Sequence, residues 1–121
     1  MKSLSSRELR IGNWVHNPVQ NINFQVGGST IAIEHSRELI LKDHKGFEPI
    51  PLTEEWLLKF GFNKKGFDMK LKGFKLTAST RIIKEDRLGA FHYKGTGSIG
   101  TVHQLQNLYF ALTNEELTIK Q

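Results

Sequence analysis

The sequence predicts an α+β fold, and three observations carry that reading. Apolar and polar residues alternate with period two in short runs through 8–52 and again through 62–94, the pattern of half-buried strands. Two other segments, 53–61 and 102–112, follow the helical period instead. The chain has 121 residues, the size of one folding unit able to bury a core without disulfides or metals. Residues 1–121 therefore read as a single domain. Its first part (8–52) is expected to be a five-stranded SH3-like small β-barrel or curved sheet. Its second part (53–121) is expected to hold a short helix, an antiparallel β region and a C-terminal amphipathic helix.

The elements follow in order. Leu9, Ile11 and Val15 alternate with polar residues and run into Asn17-Pro18, a turn signal. Ile22, Phe24 and Val26 alternate with Asn and Gln before Gly27-Gly28, a second turn signal. Ile31 and Ile33, then Leu39 and Leu41, repeat the strand pattern. Pro49-Ile50-Pro51-Leu52 is extended, because each proline fixes its own φ and biases its predecessor away from helix.

Thr53 to Gly61 reads as a compact helix. Thr53 caps the free amides of the first turn. Glu54 and Glu55 sit at the positive end of the helix dipole and Lys59 near the negative end. Gly61 supplies the left-handed stop. Trp56, Leu57 and Phe60 share the face that packs.

Strand patterns then resume. Phe67, Met69 and Leu71 are expected on one face, with Asp68, Lys70 and Lys72 on the other. Gly73 marks a turn. Phe74–Ala78, Thr80–Lys84 and Ala90–Lys94 are further strand candidates, with a turn at Glu85–Gly89. Val102, Leu105, Leu108, Tyr109 and Leu112 form an apolar stripe, with His103, Gln104, Gln106 and Asn107 on the polar side. Asn114 ends this helix, and Leu117-Thr118-Ile119 is an edge-strand candidate.

Composition narrows the chemistry. No cysteine is present, which removes disulfides, thiolate nucleophiles and Cys-ligated metals. The five histidines form no HxxxH or HExxH pair, and no GxSxG elbow appears. Gly95-Thr96-Gly97-Ser98-Ile99-Gly100 is a literal GxGxxG between a strand and a helix. Neither repeated βαβ units nor an acid about 20 residues later accompanies it, so it reads as a hairpin or helix-entry loop. In a reduced form, its backbone amides beside Lys94 would hold one phosphate. The reading is of a non-enzymatic protein with no cofactor and no metal. No apolar run approaches the roughly 20 residues of a bilayer span, and no secretory leader is visible, so a cytoplasmic location is expected.

Charge gives the functional expectation. Residues 61–97 hold nine basic side chains: Lys64, Lys65, Lys70, Lys72, Lys75, Arg81, Lys84, Arg87 and Lys94. Against them stand only Asp68, Glu85 and Asp86, a net +6 in a chain whose total is +5. That concentration points to an anionic partner, with these nine residues as the nucleic-acid-binding set. Phe62, Phe67, Phe74, Phe91, His92 and Tyr93 are interleaved with them. Exposed, such aromatics would stack on bases of single-stranded nucleic acid. Buried, they would be core beneath a solvated lysine face. The other functional class is a protein-binding or self-assembling module that makes no nucleic-acid contact. It would use the C-terminal helix with Phe110, or the acids Glu115 and Glu116.

Three blocks add a resemblance. They are Leu9-Arg10-Ile11-Gly12-Asn13-Trp14-Val15, the stretch from Pro49 through Phe62 (PIPLTEEWLLKFGF), and Val102 through Thr113 (VHQLQNLYFALT) with Glu116–Ile119. Together they resemble a family of small proteins of Bacteroidetes chromosomes, prophages and phages. The resemblance supplies no catalytic residues. It implies that the blocks are scaffold and that the basic middle, 63–101, is where members specialise. It further implies a phage-type binding protein of the bacterial cytoplasm that blocks host machinery. RNA or a ribonucleoprotein would be the target, such as an RNA-guided CRISPR effector with its guide, making the protein an anti-CRISPR inhibitor.

Overall fold

The computed structural model describes residues 4, 6–40, 46–66, 68–78, 91–93 and 97–120. Among these the fold is α+β, with a two-stranded sheet, a five-stranded antiparallel sheet and three α-helices. The chain divides into two units, Met1–Ile50 and Pro51–Gln121.

In the first unit, a 3-10 turn at Ser6–Glu8 precedes strands β1 (Trp14–Asn17) and β2 (Ile22–Gln25), which pair antiparallel. Asn17 closes the hairpin: its Oδ1 accepts the Val19 and Gln20 amides at 3.0 and 3.3 Å, an Asx turn that fits the Asn-Pro signal. The buried Asn13 fixes the approach to β1, accepting the Arg10 amide on Oδ1 at 2.6 Å. Its own carbonyl accepts from Val26 at 2.8 Å. Val15, Val26 and Leu4 form the core here, with Leu9, Phe24, Ile31 and Phe47 against it.

This unit corrects the expectation of SH3-like strands through 8–52. Helix α1 (Gly28–Ile40) occupies the stretch where Ile31, Ile33 and Leu39 were expected on strands. Ile31 and Ile33, two apart, match the strand period; on the helix they lie about 200° apart, so Ile31 is half-buried while Ile33 is exposed. Ten positions of good or neutral helix formers without a breaker then favour the helix. Gly27 and Gly28 begin that helix instead of turning a hairpin, and the Gly27 amide donates back to Thr30 Oγ1 at 3.4 Å, half of a capping box. Ile11 stands in a turn and is exposed, not on a strand. Leu41 lies outside the described residues. Glu34 is buried on α1 with the Arg37 guanidinium 3.6 Å away, the pairing that a buried carboxylate needs.

In the second unit the short helix forms as its sequence dictates. Helix α2 spans Glu54–Lys59, and Thr53 Oγ1 accepts the Trp56 amide at 3.3 Å. Trp56, Leu57 and Phe60 are buried, each contributing roughly 1.5–3 kcal/mol of apolar burial. Gly61 has φ +96°, and a Cβ there would lie 2.8 Å from Lys120 Cγ. The reason for that crowding is the C-terminal segment. The Lys120 amide donates to the Lys59 carbonyl at 2.7 Å, and Leu117 is buried. Leu117–Ile119 is therefore a strap over the end of α2, without the strand pairing expected of it.

Strands β3 (Asn63–Lys65), β4 (Asp68–Leu71), β5 (Phe74–Ala78), β6 (Phe91–Tyr93) and β7 (Gly97–Ile99) form the larger sheet in sequential order. Helix α3 (Val102–Thr113) follows, and Asn114 at φ 59° ends it with its amide on the Phe110 carbonyl. Tyr109 of α3 meets Phe74 edge-on at 5.2 Å, and Phe74 stacks on Tyr93 at 4.7 Å. The buried face of α3 is Val102, His103, Leu105, Gln106 and Tyr109. His103 and Gln106 thus leave the expected polar side, while Leu112 of the expected stripe is 51% exposed. The strand expected at Thr80–Lys84 and the turn at Glu85–Gly89 lie outside the described residues.

Candidate nucleic-acid interface

Register decides which basic residues come together. Residues directly opposite each other on paired strands share a face, and successive residues alternate. Lys64 pairs with Met69, and Met69 with Leu76; Leu71 pairs with Phe74. Leu76 pairs with Tyr93, and Phe91 with Ile99. That face holds the buried Met69, Phe74, Leu76, Phe91 and Ile99.

The opposite face carries two cross-strand rows. One runs Asn63–Lys70–Lys75 across β3, β4 and β5. The other runs Lys65–Asp68–Thr77–His92–Ser98 across all five strands. Lys65, Lys75, Thr77, His92 and Ser98 are exposed, and Lys70 is half-buried. Thr77 donates its hydroxyl to Asp68 Oδ1 at 3.1 Å, and Ser98 Oγ lies 3.2 Å from His92 Nδ1.

Of the nine expected binding residues, this face gathers Lys65, Lys70 and Lys75. Lys64 does not join them: it stands at an inward-facing position and reaches Glu54 at 2.7 Å. Lys72 occupies the β4–β5 turn in the left-handed region, φ 55°, and pairs with Glu115 at 3.3 Å. Arg81, Lys84, Arg87 and Lys94 lie outside the described residues.

The aromatics take the buried alternative. Phe62, Phe74 and Phe91 are core and Tyr93 is half-buried. Inward alternation removes them from the lysine face, so they cannot stack on bases there. Phe67 lies outside the described residues, and His92 is the one ring of the expected set on the lysine face among the described residues. Lys70 guards no sheet edge, because β4 is an interior strand. Lys64 and Lys65 on β3 stand at an edge instead, where lysines discourage strand addition.

Electrostatically, the Lys70–Lys75 pair is the informative feature. Like charges directly opposite each other across a ladder are destabilising. None of the ion pairs among the described residues involves Lys65, Lys70 or Lys75. An anion lying across β4 and β5 would relieve that repulsion. The glycine-rich loop offers less: Gly97–Ile99 is strand β7, and the Gly100 amide already donates to Gln104 Oε1 at 3.1 Å. Residues 94–96 lie outside the described set. No group of three His, Asp or Glu able to hold a metal occurs among the described residues.

No family model, curated protein or solved structure matches this chain. No helix among the described residues is long and apolar enough to cross a membrane.

The sequence pattern missed one feature of the second unit. A cleft of about 220 Å³ opens beside the β4–β5 turn, between Leu71, Phe74 and Tyr93 of the sheet and Tyr109 and Leu112 of α3. Its signal was present in Leu112, an apolar residue at the end of a helix whose buried face had already turned away.

Proposed function

We infer that this chain is a non-enzymatic binding protein that engages RNA, free or within a ribonucleoprotein, through the basic face of its five-stranded sheet. The observation that carries the reading is the like-charged Lys70–Lys75 row beside Lys65, which takes part in no ion pair among the described residues, a cluster suited to phosphate oxygens. Thr77, His92 and Ser98 extend the face with hydrogen-bonding groups able to reach phosphate or ribose. Arg81, Lys84, Arg87 and Lys94 belong to the same basic segment of the sequence and enlarge the set. The resemblance to Bacteroidetes phage and prophage proteins supports a role in the cytoplasm of a bacterial host, as an inhibitor that seats on an RNA-guided defence effector and its guide.

Salt titration of binding to single-stranded RNA tests this directly. Neutralising three phosphates releases counterion, so log Kd rises with log salt with a slope of at least about 2. A Kd that does not change between low and high salt overturns the reading.

The protein-binding alternative finds less support on α3. Phe110 is half-buried, and Glu115 is engaged by Lys72.

A further inference from the structure

We propose that the cleft at the β4–β5 turn is a nucleobase pocket, so that the protein holds one unstacked RNA base there while its lysines hold the flanking phosphates. The proposal rests on the RNA-binding reading above and assigns the aromatic contact that the lysine face lacks.

One side of the pocket is ring and aliphatic surface, and Lys72, Gly73, Thr113 and Glu115 complete its lining. Tyr93 is half-buried and stacked on Phe74, Tyr109 is set edge-on to Phe74, and Leu71 and Leu112 flank them. At about 220 Å³ the cleft falls below the roughly 300–1,000 Å³ of sites for drug-sized ligands, so one ring system is what it admits. Leu112, 51% exposed at the wall, is apolar surface that an inserted ring would cover.

Charge around the mouth selects what the ring is attached to. Lys72 stands at the turn and lines the cleft together with Leu71 and Phe74, the strand residues that flank the turn. Lys70 and Lys75 each lie one residue further along, on the opposite face of the same hairpin. A strand of RNA rounding this end of the sheet would meet Lys70 and Lys75 on one side, Lys72 at the turn and the ring pocket on the other. The Lys72–Glu115 pair across the mouth is exposed on both sides, 69% and 55%. Exposed pairs of this kind are weak, so a phosphate can compete for Lys72. A free aromatic ligand would not need these lysines; a base carried on a phosphate backbone uses both features.

The test compares two eight-residue probes of equal charge on the full chain at fixed salt: oligouridylate, and the same ribose-phosphate backbone without bases. Fluorescence anisotropy should show oligouridylate bound about 5- to 150-fold more tightly. Tyr93→Leu should remove most of that preference while leaving the affinity for the abasic probe unchanged. Leu112→Ala, at an exposed site, makes the same comparison if Tyr93→Leu fails to fold by circular dichroism, and should reduce the preference. Equal, salt-dependent binding of both probes overturns the pocket and leaves the basic face standing. A preference that survives both substitutions also overturns the pocket, because the bases then sit elsewhere. Binding of neither probe overturns the pocket together with the reading beneath it.

Discussion

The two faces of the β3–β7 sheet are built from the same five strands and share almost nothing else. One keeps Met69, Phe74, Leu76, Phe91 and Ile99 from water. The other presents Lys65, Lys75, Thr77, His92 and Ser98 to it, with Lys70 and Asp68 half-buried. Alternation along each strand separates them, so neighbours such as Lys75 and Leu76 answer to different demands. Stability belongs to one face and the proposed phosphate contacts to the other, while the proposed base pocket opens at the end of the inner face beside the β4–β5 turn. The consequence is experimental: substitutions one residue apart should dissociate folding from RNA affinity.

The largest effect should come from breaking the inner face. Leu76 is fully buried at the centre of β5, and Leu76→Ala should cost about 2–5 kcal/mol through lost burial and the cavity left behind. Urea denaturation measures it; a loss below about 1 kcal/mol would mean that this face is not the packed core. One position away, Lys75→Glu should act in the opposite direction on stability. It replaces a like-charge cross-strand pair with an opposite-charge pair opposite Lys70, a gain of roughly 0.2–1 kcal/mol. The same substitution should weaken RNA binding, and unaltered affinity would separate the lysine row from function. The smallest effect is expected at Lys64, whose pair with Glu54 is about half exposed. Lys64→Ala should change stability by no more than about 1 kcal/mol, and by less at high salt. It should leave RNA affinity near its starting value, because Lys64 stands off the basic face. An RNA-binding defect as large as that of Lys75→Glu would show that register does not define the interface.

Legibility in the sequence followed how much each signal depended on distant residues. Helix α2 was readable because its determinants are local: Thr53 caps, Glu54 and Glu55 meet the dipole, and Gly61 stops the helix. The division of β4 into Met69 and Leu71 against Asp68 and Lys70 was readable for the same reason, since pleating needs no partner to set alternation. Helix α1 was misread because Ile31 and Ile33 match the two-residue strand period, although they fall on different sides of the helix that forms. Lys72 was misassigned because a turn, not alternation, sets its direction.

By itself, the sequence determined the mixed α+β class, the capped helix, the C-terminal helix, the alternation of the strands and a basic excess confined to 61–97. These follow from short-range periodicity and from composition, which are properties of the chain alone. Only the tertiary structure decided that Lys70 faces Lys75, that Lys64 and Lys72 are drawn off to Glu54 and Glu115, and that a ring-lined cleft opens beside their hairpin. Tertiary packing joins residues as distant as Lys72 and Glu115, 43 positions apart, and no local pattern encodes which of them will meet.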